Sequence, residues 1–263
     1  MKFVIFGCCS YFARNFCYYL KQCFKKCVLV GVDILDNDGD HKNNYIDEFI
    51  QHDLSHYVNK LDMFNNEIII NFASLSHVDE SYMNPTKFMK NNLGIAKTLS
   101  MLNPLKGIHI STDEVIDHSN PYSISKYNQE AILKNTNWIF VRPNNLYSCY
   151  DFKSDLMPTA PTLWNNMKRS NKLNMVKSAD KITRNFLPVQ IACPCLLNIV
   201  LNSQYKINEI YRGYEIGILN FIDEYDKKYN VKHEITFVAD RQATDYKYLK
   251  NESISYEIFK EYL

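Results

Sequence analysis

The first 33 residues constrain this chain more than any other stretch. Phe3-Val4-Ile5-Phe6 is an unbroken apolar run that stops at Gly7. A helix-like stretch follows from about Ala13 to Lys26, and a second apolar run, Val28-Leu29-Val30-Gly31-Val32, ends at Asp33. Short continuous apolar runs suit strands buried on both faces, the condition of a parallel sheet. Strand, glycine turn, helix, then a strand ending in an acid is the order of a βαβ unit.

The rhythm continues downstream. Residues 68–72 read as a strand, and 85–102 as a helix with Pro85 in its first turn. Residues 108–111 read as a strand, 123–133 as a helix and 138–141 as a strand. This alternation predicts an α/β fold with a doubly wound parallel sheet. It loosens after about Asn145. The expected organisation is a cofactor-binding domain over 1–145 and a smaller substrate-binding part over 146–263, partly interleaved with the first. A hydrophobic content of 46% supplies the core that such a fold needs.

Thirty Lys and Arg against 29 Asp and Glu leave a net charge of +1, with no general pull toward nucleic acid or an anionic membrane. The N-terminal stretch makes a poor signal peptide, and no segment has the apolar length of a membrane span. The expectation is a soluble, cytoplasmic protein. The eight cysteines lack the paired CxxC spacing of a zinc site, so reduced structural thiols and no metal are expected.

Gly7-Cys8-Cys9-Ser10-Tyr11-Phe12-Ala13 stands in the register of a GxxGxxG dinucleotide fingerprint. Gly7 can make the tight turn, and Ala13 is small enough for close helix–strand packing. Ser10 stands where a glycine would let the backbone approach a pyrophosphate. The helix start still offers free N–H groups and a positive dipole end. An ordinary strand–helix turn shares these features. Asp33, at the end of the second strand, is placed to accept bonds from both ribose hydroxyls. Ile34 and Leu35 after it cannot pair with a 2′-phosphate, which favours NAD over NADP. A solvated acid at a strand end is the plainer reading. Asp53-Leu54 is a candidate adenine contact.

Tyr122 and Lys126 form a YxxxK pair on one helix face. Tyr246/Lys250 and Tyr256/Lys260 share the spacing, so context singles out the first pair. It follows a strand ending Ser111-Thr112-Asp113-Glu114, at the carboxyl edge where open α/β sheets bind ligands. A Lys cation beside a phenol would lower its pKa and make it a usable base. A surface Tyr and Lys would show the same letters.

Four collinear segments then carry a resemblance. ISTDEV at 110–115 resembles the ISTDEVYG of nucleotide-sugar 4,6-dehydratases. SHVDES at 76–81, followed by Pro85, Phe88 and Asn92, is similar to their SHVDRS…P…F…TN. PYSISK at 121–126 resembles PYSASK, and ITFVADRQATDYKY at 235–248 resembles ITYVADRPGHDRRY. The likeness runs from residue 3 to about 255. It implies an NAD-dependent enzyme of the dTDP-glucose 4,6-dehydratase type, an extended short-chain dehydrogenase/reductase. The implied architecture is a Rossmann doubly wound parallel sheet with a small C-terminal substrate-binding part.

The resemblance also implies roles. Tyr122, helped by Lys126 and Thr112, takes the proton of the sugar 4-OH; Glu114 removes the C5 proton and Asp113 protonates the leaving 6-OH. Gly7, Ser10, Tyr11, Phe12, Asp33, Asp53, Leu54, Ala73 and Asn92 line the cofactor. His77, Asn145, Arg184 and Arg241 hold the nucleotide sugar. A homodimer through the helices at about 85–102 and 123–134 is implied too. The chain departs from the family in three loops. The stretch from Glu114 to Tyr122 is short, Ser148-Cys149 replaces Gly-Pro, and Gln242-Ala243-Thr244 replaces Pro-Gly-His. A 4-epimerase, a 4-keto reductase or a silent member that only binds therefore stands as an alternative.

Overall fold

The apolar run at the N-terminus forms β1 (Lys2–Phe6), in which Phe3, Val4, Ile5 and Phe6 are fully buried. The computed structural model describes residues 1–39, 42–116, 118–150, 162–211 and 214–239. Along the chain follow α1 (Tyr11–Cys23), β2 (Val28–Asp33), β3 (Glu48–Gln51), β4 (Ile68–Asn71), α2 (Val78–Met83) and α3 (Pro85–Met101). Next come β5 (Lys106–Ile110), α4 (Pro121–Leu133), β6 (Trp138–Pro143), β7 (Asn145–Tyr147), α5 (Thr162–Arg169), β8 (Lys172–Val176), β9 (Thr183–Arg184) and β10 (Phe186–Pro188). The rest comprises α6 (Val189–Asn202), β11 (Ile207–Ile210), β12 (Ile216–Gly217), α7 (Ile218–Tyr229) and β13 (Glu234–Val238).

Seven strands form one sheet in the order β11-β6-β5-β4-β1-β2-β3, and every pairing is parallel. It is the doubly wound α/β sheet of Rossmann type. Ile5 registers with Gly31 of β2 on one side and Ile70 of β4 on the other. The strand order reverses at β1, so the carboxyl ends of β1 and β4 open the crevice where such sheets bind ligands. On one face Val4, Phe6, Val30, Val32 and Ile69 pack with Ile95, Ala96 and Leu99 of α3 and Leu133 of α4. Toward the other, Phe12 and Phe16 of α1 meet Phe72 at ring distances of 5.3 and 5.9 Å.

Helix α1 ends at Cys23, short of the expected Lys26. Phe24 leaves helical backbone at φ −132°, and its N–H bonds the Leu20 carbonyl at 2.8 Å. Two edge strands, β3 and β11, were not expected from the pattern.

The chain divides into two compact units. Among the described residues, one comprises those of Met1–Pro143 and Cys193–Ile210; the other comprises those of Asn144–Ala192 and 211–239. Among its described residues the second holds three two-stranded ladders, β7–β10, β9–β12 and β8–β13. Its core is aromatic. Tyr147, Trp164 and Phe221 are almost fully buried, and Phe186 stacks on Phe221 at 4.0 Å. No helix among the described residues is long and apolar enough to cross a membrane.

Candidate active site

The turn after β1 is built around Gly7. Its φ of +71° lies in the left-handed region, and a Cβ there would stand 2.4 Å from the Ala73 nitrogen. Glycine is therefore required twice over, by conformation and by the close approach of the segment leaving β4. Ser10 caps α1 through its backbone: its carbonyl accepts from Arg14 N at 3.0 Å, while its side chain caps nothing. Ser10 Oγ is buried and has no hydrogen-bond partner among the described residues. An orphaned hydroxyl at the start of a helix, at the positive end of its dipole, is chemically suited to a phosphate oxygen.

Asp33 ends β2 and is 7% exposed. Its Oδ2 accepts from Cys9 N at 2.9 Å and its Oδ1 from Leu35 N at 3.0 Å. The carboxylate thus pins the glycine turn to β2 and retains lone pairs for further donors. These three residues meet around the start of α1.

The remaining cofactor-side expectations divide. Ala73 packs against Gly7. Tyr11 and Phe12 are buried in the first turn of α1, with Phe12 edge-on to Phe72. Leu54 belongs to the core. Asp53 closes a local turn, accepting from Ser55 N at 2.8 Å and pairing with His56 at 3.3 Å. Although burial opposes it, these partners hold its carboxyl below the usual range. Asn92 is fully buried, and its amide N–H groups go to Leu75 O at 3.0 Å and Ser125 Oγ at 2.8 Å. It braces the segment after β4 against α4.

At the other side of the crevice, β5 gives way to Ser111 and Thr112 and then to a 3₁₀ turn over Asp113–Ile116. Helix α4 starts at Pro121 with Asn120 as its cap, in a capping box with Ser123. Asn120 Oδ1 accepts from Ser123 N at 2.8 Å, and its Nδ2 donates to Glu114 Oε2 at 3.0 Å. The cap of the helix that carries Tyr122 is thereby tied to the acid at the end of β5. Thr112 Oγ1 accepts from Glu114 N at 3.3 Å and lies 3.2 Å from Asp113 Oδ1. Burial pushes the Tyr122 phenol well above its ordinary pKa; the nearby Glu114 and Asp113 carboxylates add to this, and a hydrogen bond with Thr112 opposes it. Thr112, Asp113, Glu114 and Tyr122 therefore share one locality.

Lys126 behaves differently from the expectation. It is 2% exposed, and its Nζ donates to the Ile110 carbonyl at 2.8 Å. Burial lowers its pKa to about 7, with Glu130 opposing the shift. Glu130 itself forms a bidentate pair with Arg142, at 2.9 and 2.6 Å. The phenol's acidity is set by burial, Thr112 and the two carboxylates, with no resolved downward pull from the Lys126 cation.

His77 is exposed and caps α2, its Nδ1 accepting from Glu80 N at 3.4 Å. Asn145 lies on β7 and Arg184 on β9, both in the second unit; Arg184 Nη1 donates to the Thr183 carbonyl at 2.9 Å. Arg241 lies outside the described residues.

Three site residues escaped the sequence reading. Asn120 was legible, because Asn before Pro before an apolar-periodic stretch is a helix-start signal. Ser111, whose buried Oγ has no partner among the described residues, adjoins Thr112 and carries no pattern of its own. His109, buried in β5 with Nδ1 2.9 Å from Asn71 Nδ2, is held neutral by burial and by Lys126.

The model of the NAD dependent epimerase/dehydratase family matches residues 3–190. The dTDP-D-glucose 4,6-dehydratase of Bos taurus is 24% identical, with 96% of this chain and 82% of that protein covered. The Homo sapiens enzyme of the same name is also 24% identical, over 96% and 83%. Among solved structures, the dTDP-glucose 4,6-dehydratase of Streptomyces venezuelae with NAD and TYD bound superimposes with a TM-score of 0.79 at 16% identity, covering 100% of this chain and 95% of that one. The UDP-N-acetylglucosamine 4-epimerase of Methanobrevibacter ruminantium gives 0.76 at 14%, over 99% and 95%. Identities this low make the two structures evidence for the fold alone. The family match spans most of the chain, and the relatives are nucleotide-sugar dehydratases and epimerases. This chain belongs to the NAD dependent epimerase/dehydratase family, and its cofactor is NAD.

Proposed function

We propose that the protein is a nucleotide-sugar 4,6-dehydratase, converting a nucleoside-diphosphate sugar of the dTDP-glucose type to the 4-keto-6-deoxy sugar. The observation that carries this reading is the local grouping of Tyr122, Thr112, Asp113 and Glu114 at the end of β5. An epimerase or reductase needs a phenol but no adjacent pair of carboxyl groups. The cofactor fits the residues present: the Gly7 turn and the Ser10 hydroxyl suit the pyrophosphate, and Asp33 suits the ribose hydroxyls. When bound, NAD supplies a hydride acceptor and donor within one turnover.

The protein's own groups move the protons. Tyr122 Oη, in its ionised fraction, accepts the proton of the sugar 4-OH, with Thr112 Oγ1 holding the phenolate in place. A ketone at C4 acidifies the C5–H, and Glu114, oriented by Asn120 Nδ2, takes that proton. Asp113 gives a proton to the 6-OH as it leaves as water. His77, Asn145, Arg184 and Arg241 are assigned to the nucleotide sugar, and a guanidinium suits its diphosphate. The reading includes a substrate-binding role for the second unit and a cytoplasmic homodimer through α3 and α4. Exposed Ile124 and Tyr127 on α4 support that pairing.

The test incubates the NAD-loaded protein with dTDP-glucose, UDP-glucose and UDP-N-acetylglucosamine and follows loss of water by mass spectrometry. The expected product is a 4-keto-6-deoxy sugar from one of them. Glu114→Gln should slow its formation by about 10²–10⁴-fold, the contribution of a positioned base. Epimerisation at C4 without loss of water, unchanged in that variant, would favour a 4-epimerase. A sedimentation experiment showing monomer at micromolar concentration would remove the dimer.

A further inference from the structure

The turn after β1 places two sulfurs and a carboxylate together. Along a strand, successive side chains point to opposite faces. Cys8 and Cys9 lie in a turn instead, and their Sγ atoms are 4.0 Å apart. One ligand atom from each of Cys8, Cys9 and Asp33 falls within 4.8 Å of the other two, and all three residues are buried. Zinc–thiolate bonds of about 2.3 Å in a tetrahedral frame hold two sulfurs about 3.8 Å apart. The observed separation meets that requirement with a shift of tenths of an ångström.

The sulfurs are also held in place. A Cβ on Gly31 of β2 would stand 2.7 Å from Cys8 Sγ, so the strand leaves room for this thiol. The Cys8 carbonyl accepts from Asn43 Nδ2 at 2.8 Å, and Cys9 N donates to Asp33 Oδ2 at 2.9 Å. Ile34, Leu35 and Asp36, which follow the carboxylate, are exposed, so the cluster lies just beneath the surface. Two thiols and a carboxylate favour soft or borderline cations of the zinc class over calcium or magnesium.

We propose that Cys8, Cys9 and Asp33 form a binding site for a zinc-class divalent cation, and that this cation and NAD exclude one another. Binding replaces two S–H bonds with two metal–sulfur bonds; both protons leave to solvent and no electron is transferred. Exclusion follows because the metal takes the Asp33 carboxylate that the ribose hydroxyls need. That half of the proposal rests on the cofactor reading above; the metal site itself does not.

Cadmium serves as the spectroscopic probe, through the ultraviolet charge-transfer band of cadmium thiolates. NAD-free protein should take up one Cd²⁺ per chain in that band. Cys8→Ser and Cys9→Ser should each lose it, and Cys195→Ser, an exposed thiol on α6, should keep it. Zn²⁺ at ten times its own Kd should weaken apparent NAD binding by about tenfold. Added NAD should erase the band in the unaltered protein, an arm that does not depend on any variant folding. A band that survives both substitutions overturns the metal site, and NAD affinity unmoved by Zn²⁺ overturns the exclusion. Failure to bind NAD in metal-free buffer would sink the dehydratase reading while the cadmium band still judged the site.

Discussion

Lys126 shows how a single buried charge makes stability depend on pH. A buried ammonium with one carbonyl partner is costly, which is why its pKa falls to about 7 from 10.5. The native state sheds this proton more readily than the unfolded chain, so wild-type stability gains from this group as pH rises from about 7 toward 10.5. Below pH 7 the full cost is present. Lys126→Met should therefore stabilise the protein at pH 7 by about 1–3 kcal/mol, less than the shift alone implies because the Ile110 carbonyl loses its donor. Urea unfolding of both proteins between pH 6 and 9 checks the sign: the advantage of the variant should shrink as pH increases. Equal stabilities across that range would show that the ammonium is better solvated than its burial indicates.

At the scale of elements, the start of α4 does two jobs through one side chain. Asn120 caps the helix and donates to Glu114. Asn120→Ala should cost about 1 kcal/mol as a lost cap and slow dehydration as well. Asn120→Ser separates the effects: serine caps well but is too short to reach Glu114. Its stability should stay within about 0.5 kcal/mol of wild type, with kcat reduced and NAD affinity unchanged. A Ser variant with full kcat would remove the orienting role. This helix was legible in the sequence, because Asn and Pro announce its start and apolar periodicity carries it on. The strands β1, β2, β4, β5 and β6 were legible for the same reason, since burial on both faces forces near-continuous apolar runs. Edge strands are under no such demand: Glu48-Phe49-Ile50-Gln51 and Ile207-Asn208-Glu209-Ile210 keep polar residues and read as loops. In the site, Gly7 and Asp33 were legible because backbone geometry and strand ends fix their chemistry. The turn of Lys126 toward a carbonyl was hidden, since a backbone acceptor leaves no mark in the sequence. The meeting of Cys8 and Cys9 was hidden because it depends on a turn's dihedrals.

For the molecule as a whole, a ligand that binds the native state alone should raise its stability by mass action. NAD at a hundredfold excess over its Kd should add about 2.7 kcal/mol, seen as a clear rise in Tm. NADP should give little or none, because Asp33 would face its 2′-phosphate and Ile34 and Leu35 offer no cation. A larger rise with NADP would overturn the assignment of Asp33. The route of the chain through the main sheet carries a further consequence. β6 pairs with β11, whose residues come some sixty positions later, after much of the second unit has been made. During synthesis the Trp138–Pro143 strand must wait on the ribosome with its outer row of N–H and C=O groups open to any passing strand. A nascent chain stalled before Ile207 would present that raw border, and cells making this protein would depend on holding it covered until the last strand arrives.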